Sequence, residues 1–139
     1  MASSTEHSLV NALIIGGGPA GLSAALGLAR QHKSSIVFSD SQFRNAGAQA
    51  MHGVISRDHE KPDVFREISR SQIEKYGYTQ FVDQGVSDLA KKEEDGRIVF
   101  QATTSDGQLW LGSKVVMATG GSDTFPAIDG FVENWPENM

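Results

Sequence analysis

The chain contains no cysteine in 139 residues. This excludes a disulfide framework, a thiolate zinc site, and a cysteine redox couple or nucleophile within these residues. It has no block of basic residues and carries a net charge of −5, so neither nucleic acid nor an anionic membrane is an expected partner. It has no long hydrophobic run. The apolar stretch from Leu9 is short and soon broken by glycine, too short to span a bilayer. Met1 to Ser8 are polar, without the apolar centre of a signal peptide. The expectation is a cytoplasmic protein whose residues 1–8 form a flexible N-terminus. The chain also lacks a P-loop lysine, a Ser-His-Asp order with elbow geometry, and any internal repeat.

What is present is glycine, 15 residues in all, within a globular composition of 39% hydrophobic and 21% charged residues. The most informative stretch is Leu13-Ile14-Ile15-Gly16-Gly17-Gly18-Pro19-Ala20-Gly21. An apolar run ends in a G-x-G-x-x-G turn that opens a helix. Gly16 permits the tight turn. Gly18, lacking Cβ, lets a pyrophosphate approach the backbone, and Gly21 lets the helix pack close to the strand. Pro19 suits a first helical position, where its missing N–H has no helix partner. The free N–H groups and helix dipole there attract a diphosphate.

The pattern along the chain predicts strand at 9–15, helix at 20–31 and strand at 35–39. That is a βαβ unit, a connection that is nearly always right-handed. The helix is expected to pack through Ala20, Ala24, Ala25 and Leu28. Residues 40–60 are polar and without periodicity, a length of loop that is usually functional or disordered. Helix is predicted over 62–75, stopped by Gly77. A short strand at 79–83 follows, then antiparallel strands at 86–92, 97–103 and 108–111 with turns at Asp95-Gly96 and Asp106-Gly107. A last buried strand, 114–117, leads into Ala118-Thr119-Gly120-Gly121. No element is expected beyond Phe125. The fold class is therefore α/β, a Rossmann-like βαβ core with an antiparallel β-meander.

The Gly16–Gly21 fingerprint, the Phe43-Arg44-Asn45 turn, Met51-His52-Gly53, and Ala118-Thr119-Gly120 with Phe125-Pro126 and Gly130 together resemble a known pattern. They are similar to the N-terminal part of fungal thioredoxin-reductase-like flavoproteins, of the class-II pyridine nucleotide-disulfide oxidoreductases, some of which act on dithiols in secondary metabolism. The resemblance runs from about Leu9 to Asn138. It implies that residues 9–139 are a partial FAD-binding domain, incomplete relative to the family. Gly16, Gly18, Pro19, Ala20 and Gly21 would hold the FAD diphosphate. The Arg44–His52 loop, with Asn45, would lie along the flavin side. Val86 would border the adenine, and Ala118, Thr119 and Gly120 would sit against the cofactor. The family's ribose-binding acid aligns with Ser39, while the acid of this chain, Asp40, falls one residue later. A one-residue shift on a strand reverses the face, yet a strand end leaves room for Asp40 to serve as ribose ligand. In the family the chain continues into a nicotinamide domain with a C-x-x-C pair. The resemblance therefore implies that this chain is no disulfide reductase by itself.

His52 is the candidate general acid or base, because imidazole titrates near neutrality and lies in the loop placed by the resemblance near the flavin. His59 with Asp58 and Glu60 resembles a metal cluster by composition only. Adjacent residues do not all converge on one ion, and no histidines sit at i, i+4, so a solvated loop and no metal site are expected. Arg44 suits a phosphate or carboxylate, or equally a salt bridge to a surface acid. Trp110 reads as packing and Trp135 as a partner anchor. The functional expectation is a small enzyme using an FAD-type cleft on a small-molecule substrate, by flavin oxidoreduction or a repurposed cyclisation or isomerisation. The alternatives are an accessory module, pairing with itself or a full-length flavoprotein, and an inactive truncation product.

Overall fold

The structure, a computed structural model, describes residues 8–135. In chain order its elements are β1 (Ala12–Ile15), α1 (Pro19–Arg30), β2 (Ser35–Phe38), α2 (Pro62–Glu74), β3 (Thr79–Val82), β4 (Val86–Glu94), β5 (Arg97–Thr104), β6 (Leu109–Gly112), β7 (Val115–Met117) and α3 (Phe131–Asn134). Residues 1–7, most of the predicted flexible N-terminus, lie outside the described residues, as do residues 136–139.

The first sheet is parallel, in the order β3-β2-β1-β7. Leu13 stands opposite Ile36 of β2 and Val115 of β7. Strands β1 and β2 are short and almost wholly apolar because both faces of this sheet are covered. Side chains alternate between those faces. Ile14 and Val37 point toward the helices, where they meet Leu22 and Ala25 of α1 and Ile73 of α2. Leu13, Ile36 and Phe38 point the other way, onto Ala102 and Trp110 of the second sheet. That sheet is antiparallel, in the order β4-β5-β6. The molecule thus has three layers: helices, parallel sheet and β-meander. This is the expected Rossmann-like α/β core.

Two glycines set the spacing of the layers. A Cβ on Gly21 would run into the carbonyl oxygen of Gly16, so α1 leaves the strand at a distance only glycine permits. A Cβ on Gly112 would lie 2.6 Å from Cγ of Leu13, so β6 comes down directly onto β1. Trp110 is indeed core: it is buried and meets Phe38 edge-on, with ring centroids 5.9 Å apart. The Asp95-Gly96 turn joins β4 to β5 with both residues at positive φ, the signature of a type I′ hairpin.

The differences from expectation are local. The first strand is limited to Ala12–Ile15, although Val10 makes an isolated bridge to Gly112. Ala25, with Ala24 and Leu28 partly buried beside it, packs α1 onto the core as expected, joined by Gly21, Leu22 and Ala29, while Ala20 is exposed at the helix start. A four-residue helix, α3, occurs where no element was expected.

Candidate functional site

The carboxyl ends of β1, β2 and β7 open into a cleft of about 990 Å³. Open α/β sheets place ligand sites at this edge. Its floor is the glycine turn. Gly16 adopts φ +118°, a left-handed conformation, and a Cβ there would collide with the carbonyl of Ala118. The turn is tied down on both sides: Gly16 N–H donates to Phe38 O at 3.0 Å, and Ala118 N–H donates to Ile15 O at 2.8 Å. A Cβ on Gly17 would lie 2.7 Å from Cβ of Ser39, so this glycine keeps the turn close to the end of β2.

Gly18 differs from these. It is the N-cap of α1, with extended backbone and no side-chain cap, and nothing lies within 4 Å of where its Cβ would stand. Pro19 follows as the first helical residue, and the first turn holds no acidic residue. The second and third helical positions, Ala20 and Gly21, have N–H groups that the helix itself does not bond. The positive end of the helix dipole therefore faces the cleft without a neutralising side chain. A helix N-terminus of this kind is suited to an anionic group.

The walls come from three further segments. After β2, Ser39 and Asp40 both line the cleft, Ser39 half-buried and Asp40 exposed. Each is held in a local turn: Ser39 Oγ accepts from Ser41 N–H, and Asp40 Oδ1 accepts from Gln42 N–H at 3.0 Å. The long loop lines the cleft from Gln42 to Ala48, including Phe43, Arg44 and Asn45. Helix α2 fixes this part of the loop: Arg66 lies 3.8 Å over the Phe43 ring and donates to Asn45 Oδ1 at 3.1 Å. The partial burial that this packing requires lowers the pKa of Arg66. Gly85 and Val86, at the start of β4, close one end. Met117, Ala118, Thr119, Gly120 and Gly121 form the wall beyond β7.

Arg44 is engaged by a residue that the sequence did not single out. Its guanidinium pairs with Asp123, Nη2 to Oδ1 at 2.8 Å, and Asp123 itself lines the cleft. Of the two readings of Arg44, a phosphate partner or a salt bridge, the protein alone displays the second. The Gly120-Gly121-Ser122-Asp123 stretch is polar and aperiodic, and only its return to the β7 end would have flagged Asp123. Trp135, expected as an anchor for a partner, packs with Phe125 and Phe131, lines the cleft and stays partly exposed.

His52 does not line the cleft. The loop leaves it after Ala48, and the His52 side chain stands 62% exposed beside Asp58 and His59. The loop closes on itself at Met51–Glu60, where Met51 N–H donates to Glu60 O and His59 N–H donates to Met51 O, and this places His52 beside Asp58 and His59 rather than among the residues lining the cleft. No described helix is long and apolar enough to cross a membrane.

Known proteins share both the sequence and this geometry. The chain is 43% identical over 136 residues to thioredoxin reductase tcpT of Claviceps purpurea, covering 97% of this chain and 42% of that protein. It is 37% identical over 133 residues to thioredoxin reductase sirT of Leptosphaeria maculans, covering 94% of this chain and 40% of that protein. The crystal structure of HlmI superposes with a TM-score of 0.90 at 31% identity, over 99% of this chain and 43% of that one. The chain spans about two fifths of the length of each. Residues 10–138 carry the sequence pattern of the pyridine nucleotide-disulphide oxidoreductases, and with the glycine turn and the cleft it floors, the chain belongs to that family.

Proposed function

We propose that the chain binds FAD in this cleft and acts on a small molecule as part of an oxidoreductase of fungal secondary metabolism. One observation carries the reading: Gly18 leaves open space in front of an uncapped helix N-terminus at the floor of a cleft large enough for a dinucleotide. The residues fit the cofactor that the family implies. Gly18, Ala20 and Gly21 would hold its diphosphate through backbone N–H groups, with Pro19 setting the start of the helix. Asp40 would take the ribose hydroxyls, with Ser39 behind it. Val86 would border the adenine, and Ala118, Thr119 and Gly120 would face the cofactor from beyond β7. Arg44 and Asn45 belong to the loop on the flavin side. Bound there, FAD would supply electron transfer; the chain's own work is to hold, orient and partly shield it. These 139 residues contain no cysteine, so they offer no dithiol of their own. A non-redox cyclisation or isomerisation would use the same cleft. The resemblance to fungal relatives supports the metabolic setting. Reconstitution with FAD is the test: bound flavin absorbance at one equivalent per chain is expected, and a protein that stays colourless in excess FAD would overturn the reading.

A second reading, a binding module that pairs with itself or with a full-length flavoprotein, is favoured by one surface. A hollow of about 520 Å³ between β4, β5 and β7 is lined by Leu89, Ile98, Phe100, Val115 and Met117, and Met117 is 64% exposed. Apolar surface of this kind tends to be covered by another chain. Light scattering over a range of concentrations tests it: a rising mass supports self-pairing, and a constant monomer mass counts against it.

A further inference from the structure

We propose that His52, Asp58 and His59 form a binding site for a divalent transition-metal ion, on the loop between β2 and α2 and outside the cleft. The sequence reading compared Asp58, His59 and Glu60 as chain neighbours. The structure instead folds His52 back onto Asp58 and His59. One ligand atom from each of the three lies within 4.8 Å of the other two. Asp58 stands between the imidazoles: its Oδ2 is 3.2 Å from His59 Nε2 and its Oδ1 is 3.6 Å from His52 Nδ1. The two rings meet edge-to-face with centroids 4.7 Å apart.

Donors bound to one ion at about 2.0–2.2 Å lie roughly 3–3.5 Å from each other. The observed spacing therefore needs only small side-chain rotations, and all three side chains are exposed enough to make them. The loop backbone is fixed around them. Met51 N–H donates to Glu60 O at 2.7 Å, and His59 N–H donates to Met51 O at 2.8 Å. Gly53 N–H donates to Asp58 Oδ1 at 2.9 Å and so orients the carboxylate, as outer partners of metal ligands do. His59 itself holds φ +64° and Ser56 holds φ +68°, left-handed conformations that disfavour side chains other than glycine. The turn that joins His52 to His59 is thus a specific one rather than a relaxed excursion.

Two imidazoles and one carboxylate suit zinc, cobalt, nickel or copper rather than magnesium or calcium, which prefer all-oxygen sets. Three protein ligands on an exposed loop leave the remaining positions to water, which implies modest affinity. The test is titration calorimetry of the untagged chain with zinc chloride, joined to the visible spectrum with cobalt(II). One saturable equivalent with Kd on the order of 10 μM is expected. His52→Ala, His59→Ala and Asp58→Asn should each weaken it by about tenfold or more. His32→Ala, whose ring stacks on Tyr78 elsewhere, should not. Circular dichroism reports whether each variant is folded, and only folded variants are compared. The cobalt spectrum of the unaltered chain reads nitrogen ligation independently of any variant. Absence of saturable binding, or binding of undiminished strength in the folded His52→Ala/His59→Ala chain, would overturn the proposal.

Discussion

Arg44 and Asp123, 79 residues apart in sequence, meet at the wall of the cleft, with Arg44 Nε donating to both carboxylate oxygens at 3.0 and 3.1 Å. The pair ties the long loop to the segment beyond β7. Its hydrogen bond and its charge both raise the pKa of Arg44, so the guanidinium is charged at every accessible pH. The pair is largely solvent-facing, and such pairs contribute little to stability. Asp123→Asn should therefore leave thermal unfolding almost unchanged. It should free Arg44 for an anionic ligand and tighten FAD binding several-fold at low salt, an advantage that fades as salt rises. Fluorescence titration at two ionic strengths checks this; weaker binding would assign Arg44 to holding the loop.

Gly18→Val separates ligand binding from folding. Its side chain would enter open space, so the fold should lose no more than about 1 kcal/mol. The same side chain would stand where the diphosphate approaches, and FAD affinity should fall more than tenfold. Equal affinity in the two proteins would remove the phosphate site from the helix end.

Gly21→Ala should do the opposite. Its Cβ would press on the carbonyl oxygen of Gly16, which is backbone and cannot swing away. A loss of about 3 kcal/mol is expected in urea unfolding. A variant of native stability would show that α1 can lift from β1 without strain.

Arg70 of α2 donates to both oxygens of Asp83, just past β3, and holds that carboxylate below its usual range, chiefly by this hydrogen bond. A carboxylate depressed in the folded state stabilises the protein above its unfolded pKa, and that contribution is lost as pH falls through the folded one. Both partners are more than a third exposed, so screening reduces the contribution to about 0.5 kcal/mol. Asp83→Asn should be less stable than the parent near neutral pH and equal to it in acid. Chemical denaturation across pH measures the gap, and a constant gap would contradict the assignment.

The 139-residue chain, purified alone, should show no NADPH-dependent disulfide reduction, because electrons passed to a flavin would find no cysteine pair in it. A coupled assay with NADPH and a disulfide substrate reads this directly, and turnover free of contaminating reductase would refute it.

The sequence made the centre of the fold legible because strand and helix signals there agree. Leu13–Ile15, the glycine turn, Pro19 and Ser35–Phe38 each carry one structural meaning, and Asp95-Gly96 admits essentially one hairpin turn. The floor of the cleft followed from the same residues. Its wall did not, because Asp123 lies in a polar stretch whose approach to Arg44 depends on where β7 enters the sheet. The closed turn that brings His52 to Asp58 and His59 was equally hidden: it rests on backbone hydrogen bonds between Met51 and residues 59 and 60, which leave no periodic trace in the side chains.

Strand β1 lies between β2 and β7, and Leu13 faces Ile36 on one side and Val115 on the other. The first partner is about two dozen residues away and the second about a hundred, so closing them entails very different chain entropy. The βαβ half can form as soon as β2 exists, while the opposite edge of β1 must wait until Val115 has been made. During synthesis that edge presents unpaired backbone groups until Val115–Met117 has emerged, and an unpaired edge of this kind invites association with other chains. The wall from Ala118 to Asp123 should therefore join the cleft only after the βαβ half has formed, and slow or interrupted translation before β7 should divert the protein toward aggregates.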